Sequence, residues 1–140
     1  MRRFCMLCFS FVCALALTAC GVLGESYEIS SVYGDTVKFT VPSNVDFVCK
    51  ELGNSLSIES SDKSWDVLVQ LLPSSLYEIN CSLEACGTQV AGSVSGHDYW
   101  FSEDGGLLIV DMTENYLCFY NIDGCSSEIL AEIVESSTLK

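Results

Sequence analysis

Thr36-Val37-Lys38-Phe39-Thr40-Val41-Pro42 alternates without interruption. Val37, Phe39 and Val41 fall on one side of an extended chain, and Lys38 and Thr40 fall on the other. A period of two, with β-branched and aromatic residues on one side, reads as a strand with one buried face. Pro42 has no amide hydrogen to give to a ladder, so Pro42 and the following Ser43-Asn44 end the element.

Toward the C-terminus the same period returns. Val45, Phe47 and Cys49 alternate with Asp46, Val48 and Lys50. Leu56 and Ile58 alternate with Ser57 and Glu59, and Trp65, Val67, Val69 and Leu71 with Asp66, Leu68 and Gln70. The breaks, Leu52-Gly53-Asn54-Ser55 and residues 60–63, are short and rich in turn formers, which predicts antiparallel neighbours. Pro73 closes this first set. Ser75-Leu76-Tyr77-Glu78 then has the form of a capping box, with Ser75 as N-cap. Leu76, Ile79, Leu83 and Cys86 share one helical face as far as Gly87, so a short helix is expected, with an irregular loop containing one helical turn as the alternative.

Residues 88–94 read as a weak strand interrupted by Gly92. His97, Tyr99 and Phe101 alternate with Asp98, Trp100 and Ser102, and Asp104-Gly105 is a hairpin turn signal. Residues 107–112 and 116–122 are apolar on both sides, which places them in the middle of a sheet. Ile129, Leu130, Ile133 and Val134 form the stripe of a C-terminal helix opening near Ser126, with Glu128, Glu132 and Glu135 opposite. The fold class is α+β: an antiparallel meander of about 7–8 strands covered by the C-terminal helix, with a second short helix in mid-chain. This order resembles the Mog1/PsbP-like sandwich. Residues 37–42 are similar to the opening strand and proline of that family, and residues 129–134 to its final helix. The resemblance implies a small exported α+β domain and no particular activity.

Toward the N-terminus the character changes. Residues 21–31 carry Gly21, Gly24, Ser26, Ser30 and Ser31 and read as a short flexible tether. Before it, Met1-Arg2-Arg3 is basic, residues 4–17 are almost wholly apolar, and Leu17-Thr18-Ala19-Cys20 closes the run. The apolar stretch is shorter than the roughly 20 residues that cross a bilayer as a helix, and has the length of a signal-peptide h-region. Leu17 to Cys20 resembles the lipobox of bacterial lipoproteins, an aliphatic residue and two small residues before a cysteine. That resemblance implies cleavage before Cys20, acylation of its thiol, and a lipid anchor outside the cytoplasm. Ala14-Leu15-Ala16 offers a rival secretory cleavage site, and an uncut helical anchor is a third reading. The expected organisation is therefore a signal peptide over residues 1–19, a lipidated N-terminus and tether over 20–33, and one globular domain over 34–140.

Once Arg2 and Arg3 leave, Lys38, Lys50, Lys63 and Lys140 stand against nineteen Asp and Glu, a side-chain charge of −15. Such a field excludes nucleic acid as a partner, because phosphate binding needs clustered Lys and Arg. It also opposes anionic lipid head groups. The expected partners are membrane lipid through acylated Cys20, and an envelope protein or cell-wall component.

Chemistry-bearing residues are few. Beyond Cys20 the cysteines are Cys49, Cys81, Cys86, Cys118 and Cys125, an odd number whose spacing settles no pairing and contains no C-x-x-C. They are read chiefly as buried, inert thiols. His97 is the only histidine, and Asp98 beside it faces the other way on a strand. No metal-ligand spacing, nucleophile elbow, phosphate loop or other cofactor motif occurs. The expectation is a non-enzymatic domain, metal- and cofactor-free, that binds or interacts. The alternative is a small-ligand or cation module using a cleft near His97, Trp100 and Glu103.

Overall fold

The computed structural model describes residues 24–43, 46–80, 89–102 and 105–140. The alternating stretch is a strand as expected, β2 (Thr36–Pro42), but it is not the first. β1 (Gly24–Ser30) precedes it and pairs with it antiparallel, from Gly24 opposite Pro42 to Ser30 opposite Thr36. The tether reading is corrected here. Tyr27 and Ile29 alternate with Ser26, Glu28 and Ser30, and Ile29 is buried. Small polar residues on the outward side disguise a half-buried strand as a linker.

The remaining strands are β3 (Phe47–Glu51), β4 (Ser55–Ser60), β5 (Asp66–Pro73), β6 (Val90–Val94), β7 (His97–Ser102), β8 (Gly105–Met112), β9 (Asn115–Tyr120) and β10 (Thr138–Leu139). The helices among the described residues are α1 (Ser74–Asn80) and α2 (Ser127–Ser136). The expected single meander is two sheets instead. A seven-stranded antiparallel sheet has the order β3-β4-β5-β9-β8-β7-β6, and a three-stranded one the order β1-β2-β10. β5 leaves the meander because its second neighbour is β9, so two meanders, β3 to β5 and β6 to β9, join edge to edge. As the sequence implies, the strands that are apolar on both sides, β8 and β9, lie inside the sheet.

One row crosses the large sheet on its inner face. Leu56 sits opposite Val69, Val69 opposite Phe119, Phe119 opposite Leu108, and Leu108 opposite Tyr99. With Ile58, Val67, Leu71, Val110 and Leu117 these residues make the floor of a single core. The roof is shared. β1 packs over β4 and β5, whereas α2 lies along β2 and reaches β6. The helix therefore covers the sheet together with the β1–β2 ribbon, not alone. Its buried side chains are Leu130, Ile133 and Val134.

The link between α2 and β2 is specific. Ser136 Oγ accepts from the Thr40 amide at 2.9 Å and lies 3.3 Å from the Thr40 carbonyl, to which it can donate. β10 continues down the same edge, with Thr138 opposite Lys38 and Leu139 opposite Val37. The last turn of the helix and a two-residue strand thus cap an edge that would otherwise offer unpaired backbone groups. The helix opens where expected, and Ser126 caps that end of α2, its hydroxyl accepting from the Glu128 amide at 3.2 Å.

On the outer face, Cys118 is fully buried, with Leu107 and Ile109 nearly so. α1 packs here against β5 and β9, and the Tyr77 and Tyr116 rings lie 4.0 Å apart. α1 begins one residue before the expected N-cap, so Ser75 stands inside the helix. Leu83, Cys86 and Gly87 of the expected helical face lie outside the described residues. Among the described residues no helix is long and apolar enough to cross a membrane.

Candidate functional site

β7 decides what the expected ligand residues can do. Its pairing with β8 is regular: Tyr99 opposite Leu108, Trp100 opposite Leu107, Phe101 opposite Gly106. Successive side chains point to opposite faces. Tyr99 and Phe101 therefore share the inner side, with His97, while Trp100 takes the outer side beside Leu107. The structure does not bring His97 and Trp100 to one cleft, and Glu103 lies outside the described residues. Among the described residues His97 makes no hydrogen bond to a carboxylate, and no group of three His, Cys, Asp or Glu stands close enough to hold a metal ion.

The alternate register of the same strand does line a cavity. Tyr99, Phe101, Val94, Ile122 and Leu130 wall a space of about 160 Å³, with Asp123, Gly124, Cys125 and Ser127 around it. The Tyr99 and Phe101 rings meet edge to face at 5.5 Å. Phe101 is 51% exposed, against 0% for Leu108 one strand away. Two glycines allow this arrangement. A Cβ on Gly92 would stand 2.5 Å from the Tyr99 hydroxyl, so Gly92 lets the ring lie across β6, where the register shifts by a bulge. A Cβ on Gly106 would stand 2.6 Å from Ile122, 2.9 Å from Asp123 Oδ1 and 3.0 Å from Phe101. Gly106 thus draws an aromatic edge and a carboxylate to the same point. The sequence drew attention to His97 and Trp100 on this strand, whereas the residues that line the cavity are Tyr99 and Phe101, which period two already groups together.

A second cleft, of about 260 Å³, lies between the ribbon and the β3 edge. Glu25, Tyr27, Pro42, Phe47 and Cys49 are among its walls. Tyr27 donates to Glu25 Oε2 at 2.6 Å. Burial first, then the Glu25 carboxylate and the Cys49 thiol, push the Tyr27 phenol well above its ordinary range. Burial likewise raises the Cys49 thiol, with the neighbouring Tyr27 hydroxyl acting in the opposite direction.

Cys49 and Cys125 carry free thiols. Burial pushes Cys125 up to about 11. The thiolate is the nucleophile, so at neutral pH this sulfur is almost wholly protonated and reacts slowly. Alkylation of Cys125 by iodoacetamide should rise about tenfold per pH unit between pH 7 and 10, followed by peptide mass spectrometry; a rate that levels off below pH 9 would contradict the burial. Linkage gives the sign for stability. The unfolded thiol loses its proton near 9 and the folded one near 11. The folded state binds more protons across that interval, so this contribution is complete below about pH 9 and is lost as pH climbs toward 11.

No protein-family model matches this chain, and neither a curated protein nor a solved structure does.

Proposed function

We propose that the protein is a lipid-anchored envelope lipoprotein, held outside the cytoplasm through acylated Cys20, whose domain binds a partner without catalysing a reaction. One observation carries the anchor: Leu17-Thr18-Ala19-Cys20 stands three residues ahead of the first described strand. With Gly21, Val22 and Leu23 as the whole connection, Gly24 can stand no more than about 14 Å from the acylated cysteine. The expected tether of residues 20–33 thereby shrinks to 21–23. The domain is held close to the lipid by its own edge strand, while its charge of −15 repels anionic head groups.

Binding is favoured over catalysis by the raised thiols and by the position of His97. The expected partners remain an envelope protein or a cell-wall component. A specific observation favours the second reading, a small-ligand module, provided that its site is moved from His97, Trp100 and Glu103 to the cavity behind Phe101. An exposed aromatic residue at the lip of a concave apolar space is the usual form of a ligand site. Kinship with Mog1/PsbP-like sandwiches belongs to the same proposal and brings no activity with it.

Cys20→Ala tests the anchor. The variant should accumulate as an uncut precursor lacking the mass of the acyl chains and should leave the detergent phase on phase separation. A variant that is still acylated, or is cut before another residue, excludes the lipobox. His97→Ala tests the non-enzymatic part: turnover found in an activity screen and lost in this variant would refute it.

A further inference from the structure

We propose that the cavity behind Phe101 is a binding site for an apolar group that ends in a positive charge, such as a small organic cation or the Arg or Lys side chain of a basic peptide. The inference deepens the binding reading above and rests on it. Size comes first. A dry cavity of about 150 Å³ lined by aliphatic and aromatic residues holds one benzene-sized group. The space between Tyr99, Phe101, Ile122 and Leu130 is about 160 Å³. It therefore takes a single ring or one long side chain, below the roughly 300 Å³ at which drug-sized pockets begin.

Charge comes second. Among the described residues Asp123 is the one acidic side chain on the cavity wall, and none of the four lysines lines it. The α2 N-terminus nearby would favour an anion, but Glu128 already occupies its first turn and Ser126 takes the Glu128 amide. The net charge of −13 adds a long-range attraction for cations. Geometry comes third. Gly106 brings the Phe101 edge and the Asp123 carboxylate to one point, with the Tyr99 ring meeting Phe101 edge to face. Aromatic rings attract a cation within about 6 Å of the centroid. An apolar stem can fill the space while its charged head stays at the mouth, between the Phe101 ring and Asp123.

Cys125 on the wall supplies the reporter. The full acylated chain in lipid nanodiscs is alkylated with iodoacetamide at pH 8, and Cys125 is followed by peptide mass spectrometry with Cys49 as internal control. Benzamidinium, benzamide and benzoate are added as matched cation, neutral and anion. Benzamidinium should slow Cys125 several-fold, saturating on the order of 1 mM for so small a ligand, and leave Cys49 unchanged. Benzamide should protect more weakly and benzoate least. Phe101→Leu keeps an apolar wall without a ring and should weaken benzamidinium about two- to fivefold; Asp123→Asn should narrow the gap between cation and neutral ligand. Phe101 and Asp123 are exposed, and circular dichroism checks that both variants fold. Acetyl-Ala-Arg-Ala-amide protecting better than benzamidinium supports a peptide source, and weaker protection supports a free cation. No saturable protection, equal protection by benzoate, or equal slowing of Cys49 overturns the proposal. Intact mass on the same sample keeps the anchor separate: protection without acylation refutes only the lipoprotein reading, and acylation without protection only the cavity.

Discussion

Deleting residues 24–30 should abolish cooperative unfolding. Were this segment a tether, its removal would cost nothing. As β1 it contributes seven register pairs to β2 and places Ile29 and Tyr27 over β4 and β5. Burying one aliphatic side chain is worth about 1.5–3 kcal/mol. The deletion also strips a hydrogen-bonded neighbour from β2 and uncovers part of the inner face near Leu56 and Val69. A domain of this size is stable by about 5–15 kcal/mol in total, so the combined loss consumes most of it. Thermal unfolding by circular dichroism, together with the dispersion of amide resonances, reads the result. A cooperative transition within a few degrees of wild type would return the segment to the linker. Ile29→Ala is the milder form, expected to cost about 2–5 kcal/mol.

The same segment shows where sequence stops informing. Thr36–Pro42 was legible because both halves of its alternation speak: Val37, Phe39 and Val41 are apolar, and Lys38 is charged. In Gly24–Ser30 Tyr27 and Ile29 are the whole apolar half, Glu25 interrupts their register, and glycine and serine are equally at home in linkers. Thr138–Leu139 is too short for any period. Its strand exists because Ser136 has already brought the chain to the β2 edge. Strand order was legible only locally. Turns join β3 to β5 and β6 to β9, but the pairing of β5 with β9 is a long-range choice. The two-sided apolar character of β8 and β9 placed them in the interior without naming their neighbours. The cavity was illegible for a different reason. Polar and ionisable residues drew attention to His97 and Trp100, whereas the cavity depends on Gly92 and Gly106, whose role is the absence of a side chain. That signal appears only when Tyr99, Ile122 and Phe101 are seen packed against them.

Phe39→Ala should cost about 3–5 kcal/mol, the range for removing a buried aromatic ring. Phe39 is 1% exposed and stands opposite Tyr27 in the β1–β2 register, their ring centroids 6.5 Å apart. It sits on β2, the strand that meets β1 on one edge and α2 with β10 on the other, so its ring is the middle of the roof. Ile133, 0% exposed on α2, is the matching anchor on the helix side, and Ile133→Ala should cost about 2–5 kcal/mol. Each loss corresponds to a fall in Tm of roughly 10–25 °C for a domain of this length. The pair tests more than either variant. If ribbon and helix close the sheet as one layer, each single variant should lower the same cooperative transition, and the double variant should leave almost no folded population at 37 °C. If α2 docked independently, Ile133→Ala would split the unfolding into two steps while Phe39→Ala still shifted the larger one. A Tm within a degree or two of wild type for Phe39→Ala would mean that β2 does not roof the core.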